Sequence, residues 1–381
     1  MKIRSVIIIV KKAKVFSILL PQFYRTPYND EWWGEGYTDW VAMRNAKPLF
    51  KGHRQPKRPL EGEYDQSKPE TLEWQAGLAK KYRIDGFAFY HYYSLGSHLL
   101  EKPMEVLLAH PEINMPYFVY WANEDWRKNW YGGSQKMLWR QEYGNERDWR
   151  DHFNYMLPFF KDDRYVKFDN RPLFVVYRPQ DLIVFHEMAK VWNGLACENG
   201  FDGIYFIATS PDFFHEEIDE VEDPLYQAIY YREPSYFKAS WKSDYGTKFR
   251  KVLNRAILSK IGHQVIMDPE DYDKVWRYIL NEGVRPDKDA VLGAFPSFDN
   301  SARRGYLSQV MMHDGPEKFE RYFRAQLKRA VDVGARAVLI NAWNEWGEGN
   351  HLEPDGHFGY GYLEAVKAAM DEAFPAEGGD S

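Results

Sequence analysis

Two carboxylates three residues apart, Glu345 and Glu348, stand in Ala337-Val-Leu-Ile-Asn-Ala-Trp-Asn-Glu-Trp-Gly-Glu-Gly349, a stretch that opens apolar and turns abruptly polar. On a continuing strand an i, i+3 pair faces opposite ways, because side chains alternate. A strand that stops near Asn344 and curls into a turn brings both carboxyls to one side. Trp343 and Trp346 flank the pair, with Gly347 and Gly349 beside them. Paired carboxylates next to aromatic rings suit glycosidic-bond chemistry, in which one protonates a leaving oxygen and the other activates a nucleophile. Taken alone, a Glu-x-x-Glu pair is far more often two solvated loop carboxylates, so the elements around it must decide.

Those elements read as eight short apolar or aromatic runs, at 15–20, 86–92, 115–121, 172–177, 203–208, 225–230, 291–295 and 337–340. Amphipathic stretches at 69–82, 102–109, 146–160 and 182–198 separate several of them. Continuous apolar runs are what strands covered on both faces look like. Strand-helix alternation favours a parallel sheet, and eight units favour a closed α/β barrel, the (β/α)8 TIM barrel. Two intervals break the spacing: a long polar-aromatic loop after strand one, and a helical insertion after strand six at about 235–290. The expected organisation is an N-terminal extension over 1–14, one catalytic domain over 15–375 and a disordered tail over 376–381.

Composition narrows the partners. Fifty basic against 56 acidic residues give a net charge of -6, which offers nothing to nucleic acid or an anionic membrane. The apolar run at 6–10 is too short to cross a bilayer, so no membrane insertion is expected. Lys11, Lys12 and Lys14 follow it where a signal peptide would be neutral, which makes a cytoplasmic location the expectation. Cys197 is the only cysteine, so neither an intrachain disulfide nor a Cys-type metal site is open to the chain. No His/carboxylate spacing demands a metal, and no cofactor is expected.

In a barrel the site is built by the carboxyl ends of the strands and the loops after them. Those positions carry Trp32, Trp33, Asp39 and Trp40 after strand one, His91 and Tyr92 after strand two, and Trp121, Asn123 and Glu124 after strand three. Tyr177 follows strand four, Glu233 strand six, Asp299 and Arg303 strand seven, and Trp343, Asn344, Glu345, Trp346, Glu348 and Glu353 strand eight. Each cluster has a bland reading: a Trp-Trp pair as a core plug, His91 as a satisfied strand-end histidine, Asp299 with Arg303 as a helix-start ion pair. Their coincidence on one rim reads as a pocket for an oligo- or polysaccharide, with acids and amides for hydroxyls and rings for the apolar sugar face. Nucleotide-binding glycine loops, Gly-x-Ser-x-Gly and His-Glu-x-x-His are absent. Asp-x-Asp occurs at Asp271/Asp273 and Asp287/Asp289, in the polar insertion, and reads as chance.

Leu20-Pro-Gln-Phe-Tyr24, Asn29-Asp-Glu-Trp-Trp-Gly-Glu-Gly-Tyr-Thr-Asp-Trp40, Trp121-Ala-Asn-Glu-Asp-Trp126, Asp299-Asn-Ser-Ala-Arg-Arg304 and Asn341-Ala-Trp-Asn-Glu-Trp-Gly-Glu-Gly349 resemble the WbsX-like family. That family is often labelled a glycosyltransferase of lipopolysaccharide O-antigen synthesis, and is also described as similar to glycoside hydrolase family 99, the endo-α-mannosidases and endo-α-mannanases. The resemblance implies a (β/α)8 barrel and retention of configuration through the substrate's own 2-hydroxyl. By position it makes Glu345 the base on that hydroxyl and Glu348 the general acid/base, and a family Glu-Pro resembles Glu353-Pro354. Gly347 stands where family 99 has histidine.

Three functions remain open from the sequence. The first is a retaining endo-glycoside hydrolase on α-linked manno- or rhamno-configured polysaccharide, whose acid has its pKa raised by apolar neighbours such as Trp346. The second is a glycosyltransferase of O-antigen or capsule assembly. The third is a non-catalytic carbohydrate-binding barrel.

Overall fold

The computed structural model describes residues 12–127, 136–210, 222–234, 270–305 and 308–375. The eight apolar runs are strands: β1 (Lys14–Leu19), β2 (Gly86–Ser94), β3 (Tyr117–Trp121), β4 (Arg171–Val176), β5 (Tyr205–Thr209), β6 (Tyr226–Tyr231), β7 (Asp289–Ala294) and β8 (Ala337–Ile340). Each pairs in parallel with the next, and β8 pairs with β1 to close the ring. Helices wrap the outside, so both faces of every strand are covered, as their unbroken burial requires. This is the (β/α)8 barrel.

The outer helices follow local rules. Pro316–Asp332 buries Phe319, Tyr322, Phe323, Gln326, Leu327 and Ala330, one stripe at three- and four-residue spacing. Glu146–Lys161 opens on reciprocal caps: Arg147 N donates to Asn145 Oδ1 at 3.0 Å, and Asn145 N donates to Asp148 Oδ2 at 2.9 Å. The interval after β1 is less loop-like than its polarity suggests, since it holds the short helices Pro27–Trp33 and Asp39–Asn45. A two-stranded hairpin, Trp126–Arg127 with Met137–Trp139, follows β3.

Most of the expected insertion, 235–269, lies outside the described residues, as do 1–11 of the expected extension and the tail at 376–381. In the described part of the insertion, Asp271 caps the helix Tyr272–Asn281 through Lys274 N, and Asp273 pairs with Lys318 and Arg321. That Asp-x-Asp is thus engaged in structure. Among the described residues no helix is long and apolar enough to cross a membrane.

Strand alternation decides what reaches the site. Phe16, Phe118, Val175, Ile207, Tyr230 and Leu339 fill the barrel interior. One step nearer the carboxyl end, Tyr120 stacks on Tyr90 at 5.2 Å and meets Tyr230 at 5.9 Å. Their odd-numbered neighbours on β2 and β3 point outward. His91 lies 2.8 Å from His152 on helix Glu146–Lys161, and Trp121 packs on that same His152.

Candidate active site

After β8 the chain does turn. Asn344–Glu345 pairs antiparallel with Asn350–His351, and a single 3-10 turn, Trp346–Glu348, joins them. Asn344 ties this loop to the end of β1, its Oδ1 accepting from Leu20 N at 2.7 Å and its Nδ2 donating to Leu20 O at 3.0 Å. From the neighbouring loops, Asp299 N donates to the Glu348 carbonyl at 2.6 Å and Lys57 Nζ to the Gly349 carbonyl at 2.7 Å.

Both acids meet one guanidinium. Arg303 Nη2 lies 3.3 Å from Glu345 Oε2 and Nη1 lies 3.4 Å from Glu348 Oε1, while Nη2 and Nε bind Asp39 at 2.9 and 3.3 Å. Asp39 is fully buried, Glu345 nearly so, and the Glu348 side chain is 27% exposed. Burial works against the Arg303 charge, but Asp39, Glu345 and Glu348 outweigh it and raise its pKa. Burial pushes the Glu345 carboxyl up to about 8; Arg303 opposes this, and Glu348 and Asp39 reinforce it. Although an ion pair away from Arg303, Glu345 Oε2 is buried and accepts no hydrogen bond among the described residues.

An aromatic and cationic wall faces this cluster. Arg232 donates to Tyr177 Oη at 3.1 Å and to Tyr90 Oη at 3.5 Å, and sits 5.0 Å over the Tyr177 ring. Burial and the charges of Glu345 and Glu124 raise the Tyr92 phenol, which keeps its proton and remains a donor. Trp126 meets Tyr92 edge-on at 5.1 Å, and Trp32 meets Trp126 at 5.8 Å; both indoles are half-buried. Glu124 pairs with Arg178 at 2.9 Å on the rim of a cleft of about 380 Å³, which Asp125, Arg127, Gln141 and Asp181 also line.

Chemically, the arrangement offers one buried carboxyl able to accept a hydroxyl's hydrogen bond, one partly open carboxylate, phenol donors and half-open rings. Among the described residues no group of three or more His, Cys, Asp or Glu is arranged to hold a metal ion.

Several sequence-expected residues fall elsewhere. His91 and Trp121 point away from the site, and burial with the neighbouring His98 lowers His91 to about 3. Trp40, Trp343 and Trp346 are core residues with almost no exposed surface. Trp346 stacks on His351 at 3.8 Å and donates to Glu353 Oε2 at 2.7 Å, so it is not a sugar platform. Glu345, the expected base, is raised with burial as the leading cause, and so is Glu353 beneath Trp346, where the indole's hydrogen bond lowers rather than raises it.

Asn123 is a loop clamp: it donates to Arg178 O at 2.9 Å and Tyr143 Oη at 3.0 Å, and accepts from Arg178 N at 2.8 Å. Asp299 does not pair with Arg303. It binds His53 and Gln55, and His53, Lys57 and Ser301 overcome burial to lower it to about 2. Glu233 is buried where β6 passes β7, so close that a Cβ on Gly293 would lie 2.8 Å from Glu233 N. Trp33 packs on Tyr37 at 5.7 Å, and Glu353 lies beneath Trp346. The structure brings Glu345, Glu348, Asp39 and Arg303 together, with Tyr92, Tyr177, Glu124 and Trp32 around them. It adds Tyr90, Tyr120, Arg232 and Trp126, of which strand parity alone would have indicated the first three.

A family model described as Glycosyltransferase WbsX matches residues 15–366. Two uncharacterized proteins WxcX, from Xanthomonas campestris pv. campestris strains B100 and ATCC 33913, are 30% identical over 370 residues. The match covers 95% of this chain and 50% of each relative, so the chain spans about half their length. The GH99 endo-alpha-mannosidase from Bacteroides thetaiotaomicron superposes with a TM-score of 0.56 at 14% identity, over 94% of this chain and 97% of that one. A glycoside hydrolase-like protein superposes with a TM-score of 0.60 at 13% identity, over 98% of both. At such identities the likeness is one of fold.

Proposed function

We propose, from the premise that this chain belongs to the WbsX glycosyltransferase family and is a carbohydrate-active barrel, that it is a retaining endo-glycoside hydrolase on α-linked manno- or rhamno-configured polysaccharide of the O-antigen, capsule or mannan-like type. The observation that carries this reading is the meeting of Glu345 and Glu348 on Arg303 at the carboxyl-end rim. Glu345 takes the proton of the sugar 2-hydroxyl, and that oxygen attacks the anomeric carbon as the bond to the leaving oxygen breaks. Glu348 gives the leaving oxygen its proton. The resulting 1,2-anhydro sugar is opened by water, from which Glu348 takes a proton while Glu345 returns one to the 2-oxygen. Tyr92 and Tyr177 supply hydrogen bonds to sugar oxygens, and Trp32 and Trp126 offer stacking faces.

The test is Glu345→Gln and Glu348→Gln against a panel of α-mannans and O-antigen polysaccharides. Each change is expected to lower kcat/KM roughly 10³-fold. Turnover within a few-fold of wild type in both variants removes the assignment.

The family's own description favours a second reading, transfer rather than hydrolysis. The same intermediate opened by an acceptor sugar's hydroxyl gives transglycosylation with the same two glutamates. Saturable binding of a nucleotide sugar in calorimetry would point instead to a glycosyltransferase that uses an activated donor.

A further inference from the structure

Gly347 lies between the two glutamates, yet its backbone does not demand glycine, since its φ is outside the left-handed region. Space demands it. A Cβ at 347 would lie 2.8 Å from Asp39 Oδ2 and 2.9 Å from Arg303 Cζ, and closer still to Arg303 Nε. Separations under about 3.0 Å force something to shift, and here both obstacles are buried and bound to each other. The guanidinium therefore passes over the turn that carries Glu345 and Glu348 because residue 347 has no side chain. It reaches both acids from there, anchored from behind by a fully buried carboxylate.

We propose that Arg303, seated by Asp39 in the space left open at Gly347, is the positioning residue that holds Glu345 and Glu348 in one working geometry. It is not a ligand for the sugar. The proposal rests on the hydrolase reading above for its functional meaning, though not for its structural core. An Arg303 side chain 9% exposed and engaged with three carboxylates has little left to offer a hydroxyl. The groups bearing on Glu345 are Arg303, Glu348, Asp39 and Arg232, with the phenols of Tyr90 and Tyr92 beside it. Arg303 lowers its proton affinity more than any other neighbour does, so moving the guanidinium away raises it.

Two arms test this without requiring a known substrate. The first is a double-mutant cycle in thermal stability over G347A and R303A. G347A is expected to lower the melting temperature by several degrees in the wild-type background and by clearly less in the R303A background, where of the two obstacles only Asp39 Oδ2 is left. An undiminished penalty in both backgrounds overturns the steric coupling. The second is a ¹³C-carboxyl NMR titration of Glu345, identified by the signal's loss in E345Q. In R303Q its midpoint is expected to rise by about one pH unit or more. G347A, which alters no charge, is expected to move it in the same direction, and an unmoved midpoint in both variants overturns the positioning role.

On any glycan that the wild type cleaves, R303K is expected to lower kcat about 100-fold with KM within about threefold. A raised KM with unchanged kcat would instead make Arg303 a substrate contact. If the glutamate variants keep full activity, the hydrolase reading falls, while the cycle and the titration still decide the coupling.

Discussion

Glu345 and Glu353 sit on the same loop after β8, are both buried, and have both been pushed up by that burial, to about 8 and about 7. Their surroundings differ completely. Glu353 accepts from Trp346 Nε1 at 2.7 Å, Tyr64 Oη at 2.8 Å and Gln75 Nε2 at 2.8 Å, and its two oxygens are both used. Glu345 has one buried oxygen beside a guanidinium not aligned to donate to it. Leaving a buried carboxyl oxygen without a donor costs on the order of 1–3 kcal/mol, a cost that ordinary packing avoids. The contrast separates a carboxyl that holds the loop together from one that keeps an oxygen without a donor, as the proposed base requires.

The widest separation between the two should appear on removing each. Glu345→Gln is expected to lose roughly 10³-fold in kcat/KM with stability within about 1 kcal/mol of wild type. Glu353→Ala strands three buried donors and should cost about 3–5 kcal/mol in chemical denaturation, while kcat of the folded fraction stays within about tenfold. A Glu353→Ala protein that is stable but inactive would exchange the two roles.

Titration sharpens the same contrast. A base must be ionised to act, so kcat/KM should climb with pH through a midpoint near 8, the value for Glu345. A profile falling through 8 would make Glu345 the acid. For Glu353 the readout is stability. The folded state holds a proton that the unfolded chain releases near 4.5, so stability is full below about 4.5 and declines as pH rises through about 7. The decline is on the order of 3 kcal/mol, and Glu353→Gln should flatten it in melting curves. A slope unchanged by that substitution would assign the dependence to another group.

The barrel was legible because strands covered on both faces are unbroken apolar runs, and Gly86 to Tyr92 or Ala337 to Ile340 can be read as such without tertiary information. The Glu345/Glu348 turn was legible for a related reason: polarity switches where the strand stops. Which carboxyl would lie deep was not, because that depends on Arg303 and Asp39, which are 264 residues apart and meet only in the fold. His91 and Trp121 suit a site by chemical type, but period-two alternation turns them outward and places Tyr90 and Tyr120 inward, on the same face as the expected Tyr92. Trp343 and Trp346 show the limit of composition. An indole beside an acid is equally at home as a plug that donates to a buried carboxyl, as Trp346 does to Glu353.

Indoles repeat the distinction between engaged and available groups, and give the smallest expected effect. Trp346 has no exposed surface and its nitrogen is bonded, whereas Trp32 is half-buried and packs on Trp126, which meets Tyr92. Trp346→Ala should therefore cost about 3–5 kcal/mol of stability, as a large core side chain does. Trp32→Ala removes only a stacking face, worth about 0.5–1.5 kcal/mol, and should raise KM roughly 2- to 10-fold with kcat within about twofold. An unchanged KM in Trp32→Ala, measured on a substrate the wild type cleaves, would move the stacking platform from Trp32 to Trp126, whose ring stands nearer to Tyr92 and thus to Glu345.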